Sequence, residues 1–388
     1  MRIPGRATPA LGIILILLTS ACTTDATRRA YLRTIAESYG TPPRPAIVIP
    51  GFGVTRLFDP VTHRFVWGTG RTTMQTHYTD DLDLPVSDDG EIGHDRLVPR
   101  GYVGSRGPVN TGWQLMEGLR KFGRYRPGRD VFPFEYDWRL RAEENAARLD
   151  ELFEGIRRDR GAEKVDIVTH SAGAIVALAY VKLGNGGSKV DHLVLVAPTR
   201  RGVVDAFRVL VRPEHFLRRV FAASMVATWP FVTELLPENG RFLVDDHGRT
   251  IDSDLWSPEG WRGILQLDAR TSRAFFRELA EARAFRQRLE SRPLPGGVHV
   301  SVIAGDCVAT ARRVLLRKDG TFAFYPDELR SDERPLRDHL FEPGDGTVPI
   351  RSASAGAAPL IVCDGHQGIA ADPTVHRAIL RTLREPSR

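Results

Sequence analysis

The sequence predicts an α/β fold, a mostly parallel sheet flanked by helices. Three observations carry this. Short β-branched apolar runs alternate with helix-period segments from residue 45 to residue 198. One run, Val165 to Val168, turns straight into an all-apolar segment around a central serine, Thr169-His170-Ser171-Ala172-Gly173. The alternation then stops, and strand character resumes only at His299-Val-Ser-Val-Ile-Ala304. The stretch between, 202–295, reads as a helical cap inserted after the strand that ends near Pro198.

The N-terminus comes first. Arg2 and Arg6 precede Leu11-Gly-Ile-Ile-Leu-Ile-Leu-Leu18, then Thr19-Ser20-Ala21 and Cys22. Residues 1–21 read as a signal peptide, with an apolar run too short to span a bilayer comfortably. A cysteine directly after the small residues resembles a bacterial lipoprotein signal, in which Cys22 is lipidated and anchors the chain to an envelope membrane. The alternative is a plain secretory leader with an incidental cysteine. In both cases the mature chain is exported, where disulfides are permitted. Residues 22–44 form a polar tether with room for one short helix at 28–38.

Composition narrows the partners. The 388 residues hold 54 basic and 48 acidic side chains, a net charge of +6, and no long basic run. Nucleic acid is therefore not an expected partner. The inserted stretch is near-neutral and offers no phosphate-binding surface by composition.

Residues 45–201 and 296–388 supply the core. Pro45-Ala-Ile-Val-Ile-Pro50 is a buried strand, followed by Gly51-Phe52-Gly53. Residues 57–107 read as a long irregular polar loop. An amphipathic helix carries Trp113, Leu115, Met116, Leu119 and Phe122. A strand at Val131-Phe-Pro-Phe-Glu-Tyr136 leads to Asp137-Trp138-Arg139, and the next helix places Leu149, Leu152, Phe153 and Ile156 on one face. Further strands follow at 165–168, 192–198, 299–304 and 359–363.

The strand–serine–helix turn matches the nucleophile elbow of the α/β-hydrolase fold, usually G-x-S-x-G. Thr169 departs from that pattern, because glycine is usual there. Gly344-Asp-Gly-Thr-Val-Pro349 displays Asp345 in a tight loop, and Pro359-Leu-Ile-Val-Cys-Asp-Gly-His366 delivers His366 beyond a last strand. Ser171, Asp345 and His366 follow the chain order of the hydrolase triad. His366 takes the serine proton, and Asp345 orients and stabilises the imidazolium. Asp306, just past the strand that begins at His299, is the rival acid, with Asp345 preferred. Asp364 is too close in sequence to His366, and His376 falls on the last helix. The backbone N–H groups of Phe52 and Ala172 are the expected oxyanion donors.

Together these pieces resemble the lecithin:cholesterol acyltransferase family. The resemblance rests on Ile49-Pro50-Gly51-Phe52-Gly53-Val54-Thr55-Arg56-Leu57, on Tyr136-Asp137-Trp138-Arg139, on the elbow, on Trp229-Pro-Phe-Val-Thr-Glu-Leu-Leu-Pro237 and on the loop from Gly344 to Pro349. It implies an acyl-Ser intermediate formed from a lipid or other acyl ester and passed to water or an alcohol. It implies no metal or organic cofactor. Ala172 stands where the family has a larger apolar residue. Tyr136, Asp137 and Trp138 end a strand, so they either line the substrate pocket or form a structural corner. A reading from another class is a lipid-binding or partner-binding lipoprotein that kept the fold without catalysis, and Thr169 is its main support.

Cys307 and Cys363 lie just past one strand and near the end of the next. In the hydrolase sheet these strands are parallel neighbours, about 4.8 Å apart, within the reach of a disulfide. A Cys307–Cys363 bridge is expected, the alternative being two buried free thiols.

Overall fold

The computed structural model describes residues 42–69, 81–104, 110–212, 214–216 and 219–386. Residues 1–21, Cys22 and the expected helix at 28–38 lie outside the described residues. So does most of the tether.

Six strands form one parallel sheet. They are β1 (Ala46–Ile49), β2 (Val131–Pro133), β3 (Val165–His170), β4 (Val190–Val196), β5 (His299–Gly305) and β6 (Leu360–Val362). Their order across the sheet is β6-β5-β4-β3-β1-β2. Every residue of β1, β3 and β4 is buried. Helices cover both faces of such a sheet, which is why these strands read as continuous apolar runs rather than alternating ones. The covering helices include α1 (Thr111–Gly123), α2 (Ala142–Arg160) and α3 (Gly173–Lys182). Helix α3 buries every residue from Gly173 to Val181, and α2 ends on Gly161 in the left-handed conformation.

All six strands point the same way, so the loops after them share one rim. There a parallel sheet offers its ligand site. That rim carries Gly51, Ser171, Thr199, Asp306 and His366.

Between β4 and β5 lie α4 (Val204–Val211), the short helix Pro230–Glu234 and α5 (Ala269–Ser291). Helix α5 starts where Asp268 accepts the N–H groups of Arg270 and Thr271. The stretch is helix-rich, as the sequence predicts, but it also holds the hairpin Glu214–Phe216 with Arg219–Phe221. Its strand Leu243–Val244 pairs with Val314–Leu316, which pairs in turn with Phe322–Ala323. A second insertion, between β5 and β6, therefore shares this layer. Strands of two or three residues carry no detectable period, so the sequence did not reveal them.

The expected irregular loop at 57–107 is corrected as well. Thr55–Asp59 pairs antiparallel with both Arg64–Trp67 and Val98–Tyr102. Each pairing contains a register shift. Such shifts break the strict alternation that marks a strand in sequence.

Thr169 sits inside the ladder, opposite Ile49 on one side and Leu195 on the other. It is fully buried, and its hydroxyl has no hydrogen-bond partner among the described residues. The close approach of strand and helix falls instead on Gly173, where an added Cβ would lie 2.5 Å from the Pro50 carbonyl oxygen. Thr169 thus fits sterically and leaves one unmet polar atom. Thr169→Val keeps the branched shape and removes that atom. It should raise the unfolding free energy by about 1 kcal/mol, measured by urea titration.

Candidate active site

The site is built from four turns on the rim. Ser171 follows β3 with a φ of 55°, a left-handed conformation rare for a residue with a Cβ. Its N–H donates to the Val196 carbonyl at 2.9 Å, which pins the turn to β4. The strained turn lifts the hydroxyl clear of the sheet.

His366 lies beside it. One ring nitrogen, Nε2, is 2.9 Å from Ser171 Oγ, and the other, Nδ1, is 2.8 Å from Asp345 Oδ2. All three side chains are buried. The second oxygen of Asp345 accepts the N–H groups of Thr347 at 3.0 Å and Val348 at 2.7 Å. Asp306, the rival, makes no such contact. It sits by Cys307 Sγ, 3.7 Å away. His376 is elsewhere, its Nε2 2.8 Å from the Ala370 carbonyl oxygen. Asp364 accepts the N–H of Gly365.

Electrostatics follow from this line of contacts. Burial alone would raise the Asp345 carboxyl. The charge and hydrogen bond of His366 and two backbone N–H groups outweigh it and hold Asp345 below the usual carboxylate range. Burial alone would lower His366, but the charge and hydrogen bond of Asp345 prevail and raise it.

His170, the residue before the serine, was not singled out in the sequence. Its Nε2 is 2.9 Å from the His366 carbonyl oxygen, and its ring lies 4.8 Å from that of His366. Burial, then the nearby charge of His366, pushes its pKa down to about 3. It is therefore neutral, and since a carbonyl only accepts, Nε2 carries the proton. A histidine in an elbow pentapeptide gave no sequence signal for this contact.

Phe52 and Ala172 flank Ser171 on the wall of one cavity. Neither backbone N–H donates to any group among the described residues. Ala172 also stands at the N-terminal end of α3, where helix N–H groups lack internal partners. The cavity wall is otherwise mostly apolar and includes Val54, Val203, Val209, Phe221, Trp229 and Leu235. One charged pair joins it, Asp205 with Arg208 at 3.1 Å, which the sequence reading missed.

Tyr136, Asp137 and Trp138 need correcting as pocket residues. All three are buried behind the cavity wall rather than on it. The Tyr136 hydroxyl donates to the Pro50 carbonyl at 3.0 Å, and Trp138 Nε1 to the Thr55 carbonyl at 3.0 Å. Asp137 holds the fully buried Arg139 at 2.8 Å, and Arg139 also meets Asp95 at 2.6 Å. The structural corner, left open in the sequence, is what these residues build. Their effect on the site is indirect, because they fix the loop that carries Phe52.

Cys307 and Cys363 are bonded as a disulfide, with Cα atoms 5.1 Å apart. Gly305 pairs with Val362 in the sheet, so the cysteines lie just past the strand ends, where the alternation of faces no longer binds them. The one cluster of metal-ligand type among the described residues is Asp166, Asp191 and His192. Arg44 lies on it, 3.0 Å from each carboxylate, at the opposite end of the strands from Ser171.

The sheet order and the rim turns give the chain the α/β-hydrolase fold. The model of the lecithin:cholesterol acyltransferase family matches residues 106–257, which contain the elbow and the Trp229 stretch, so the resemblance read from the sequence holds there. An uncharacterized protein of Saccharomyces cerevisiae is 27% identical over 155 residues, 39% of this chain. The chain covers only 23% of the length of that curated relative. Among solved structures, the Tle4–Tli4 complex overlays with a TM-score of 0.58 at 15% identity, over 89% of this chain and 98% of that one. The mature lipase BlEst2 of Bacillus licheniformis overlays at 0.41 and 12% identity, over 89% and 95%.

A general base must be neutral to accept a proton. If His366 is the base for Ser171, its raised proton affinity makes ester turnover fall as pH drops through a midpoint above the usual imidazole value of about 6.5. Asp345→Asn removes what raises it and leaves the burial that lowers it. In that variant the midpoint of kcat/KM against pH should move down while the plateau falls. A midpoint that stays put would show that another group sets the limb.

Proposed function

We propose that the chain is an exported serine acylhydrolase or O-acyltransferase acting on lipid esters through an acyl-Ser171 intermediate. The observation that carries this is the single line Ser171 Oγ, His366 and Asp345, with contacts of 2.9 and 2.8 Å, opening on a cavity with a mostly apolar wall. The family match supports the acyl-ester class.

In the proposed reaction Ser171 Oγ attacks the ester carbonyl carbon as its proton passes to His366 Nε2. The carbonyl oxygen gains the electron pair, and the N–H groups of Phe52 and Ala172 receive it. When the tetrahedral adduct collapses, the leaving alkoxide takes the proton from His366 and departs as an alcohol. Water or a second alcohol then repeats the step on acyl-Ser171, with His366 again the base, and frees an acid or a new ester. The first choice makes a hydrolase and the second an acyltransferase. Residues 202–295 act as the cap over the acyl chain. No step calls for a metal or an organic cofactor.

Ser171→Ala should lower turnover of a phospholipid or aryl ester by several orders of magnitude in a protein that still folds by circular dichroism. Asp345→Asn should cost far more than Asp306→Asn. Full activity in folded Ser171→Ala would end the catalytic reading. Product analysis with and without added alcohol separates hydrolysis from transfer.

The leader and Cys22 support an envelope lipoprotein held by a lipid on that cysteine. Among the described residues no helix is long and apolar enough to cross a membrane. Cys22→Ser should move the protein from the membrane fraction to the soluble fraction, followed by blotting. An unchanged distribution would favour the plain secretory leader.

A further inference from the structure

The segment after β4 has two faces. Thr199 lines the Ser171 cavity, while Arg200 lines a different cavity. This second space lies between the C-terminal ends of α3 and α5, near Ala355, and measures about 240 Å³. A single water needs only about 10–15 Å³ on that measure, so the space holds a larger guest.

Its wall carries four cations, Lys182, Arg200, Arg286 and Arg292, and one acid, Glu290. None of the four has a carboxylate within 4.0 Å among the described residues. Three of them donate to carbonyl oxygens instead. Lys182 Nζ donates to Leu289, Arg200 Nη1 to Ser354 at 2.6 Å, and Arg286 Nη2 to Arg200 at 2.6 Å. Leu289 is in the last turn of α5, and Ser354 ends the helix Ile350–Ser354. Helix C-termini favour cations, but a carbonyl orients a cation without neutralising it.

Arg286 is the telling residue. It is 8% exposed, and its Nη1 has no hydrogen-bond partner. A buried charged donor without an acceptor is costly to a folded protein. Burial, the leading cause, also lowers the proton affinity of Lys182, Arg200 and Arg286. An anion in the cavity would offset that penalty for the cations that line it.

We propose that this cavity binds a phosphate group through Arg286, Arg200 and Lys182. Two guanidinium forks and an ammonium suit several charged oxygens on one centre. A carboxylate, with one charge and two oxygens, would leave cations unmatched against the lone Glu290. The guest is either free phosphate or the phosphate of a lipid head group. Either would tie residues 199–203, which also wall the Ser171 cavity at Thr199 and Val203, to α5. Near-neutral composition concealed the site because Lys182 and Arg200 lie outside the inserted stretch and only the fold brings them to Arg286.

The test uses the full chain carrying Ser171→Ala, so that no lipid is consumed. Thermal unfolding is followed as inorganic phosphate replaces chloride at constant ionic strength. Co-sedimentation is measured with phosphatidylcholine vesicles containing either phosphatidic acid or oleic acid. A rise in Tm with phosphate identifies free phosphate, and binding that prefers phosphatidic acid over oleic acid identifies the lipid. Whichever appears should weaken about tenfold or more in Arg200→Gln and in Lys182→Gln, both at half-buried positions. Arg286→Met should abolish it, and the other two variants carry the test if that one fails to fold. No phosphate effect together with equal binding to both vesicles would overturn the proposal. So would an effect unchanged in Arg200→Gln and Lys182→Gln.

Discussion

The rim of the sheet depends on how closely the turn after β1 approaches the turn after β3. A Cβ on Gly173 would lie 2.5 Å from the Pro50 carbonyl oxygen, and one on Gly51 would lie 3.1 Å from Ser171 Cβ. Only hydrogen fits at Gly173, and at Gly51 a Cβ would force its neighbours to give by a few tenths of an ångström. This contact brings Phe52 and Ala172 onto the same cavity wall as the serine. The loop could not hold that position by itself, because its backbone leaves the ladder at Ile49. Side chains do the holding. Tyr102 donates to the Val48 carbonyl, Tyr136 to Pro50, Trp67 to Gly53 and Trp138 to Thr55. Four aromatic donors thus fix four carbonyls between Val48 and Thr55, and their rings fill the space behind the cavity wall. Phe52 packs 4.7 Å from Trp138, and Trp138 packs 5.2 Å from Trp229. The motifs that carry the family resemblance are therefore mostly one aromatic buttress, far apart in sequence and adjacent in space.

His366 is fastened from both sides in a similar way. The His366 N–H donates to the Asp345 carbonyl at 2.8 Å, and the His366 carbonyl accepts from His170. Its ring is held by Asp345, and the Asp345 loop by Thr310, whose hydroxyl accepts the Gly346 N–H at 2.8 Å. Gly305 allows the two loops to meet, since a Cβ there would lie 2.8 Å from Asp345 Cβ. The disulfide closes the same corner. An imidazole held by main chain as well as side chain keeps its place while its charge changes, which acid–base work requires.

The sheet, its helices and the order of Ser171, Asp345 and His366 were legible because each depends on local pattern. Buried parallel strands write themselves as apolar runs, and a strand–serine–helix turn has few sequence solutions. What stayed hidden depends on pairs distant in sequence. Tyr136 and Trp138 read equally well as pocket or buttress, because strand position alone does not say which face of a loop a ring reaches. Strands of two to five residues with shifted registers left no period to detect in 57–107 or beyond β5. His170 has no signal at all, since its partner is a backbone carbonyl 196 positions away.

Charge is used differently at the two ends of the strands. At the far end Arg44 ties Asp166 to Asp191, and beside the buttress Arg139 joins Asp137 and Asp95. The carboxylates of Asp166, Asp191 and Asp137 are buried, each with a guanidinium beside it, so these pairs specify geometry. At the Ser171 rim the charged pair on the cavity wall, among the described residues, is Asp205 with Arg208. There the balance matters for His366, because the Asp205 carboxylate is among the charges that favour its protonated form, after that of Asp345. Under the proposed function, an acyl chain entering this space would remove water from that pair and from the imidazole together. Lower local dielectric strengthens the pull of both carboxylates on an imidazolium. In the proposed reaction the cavity would thus support proton transfer from Ser171 to His366 most when it is filled, one wall both holding the chain and stabilising the charge that forms.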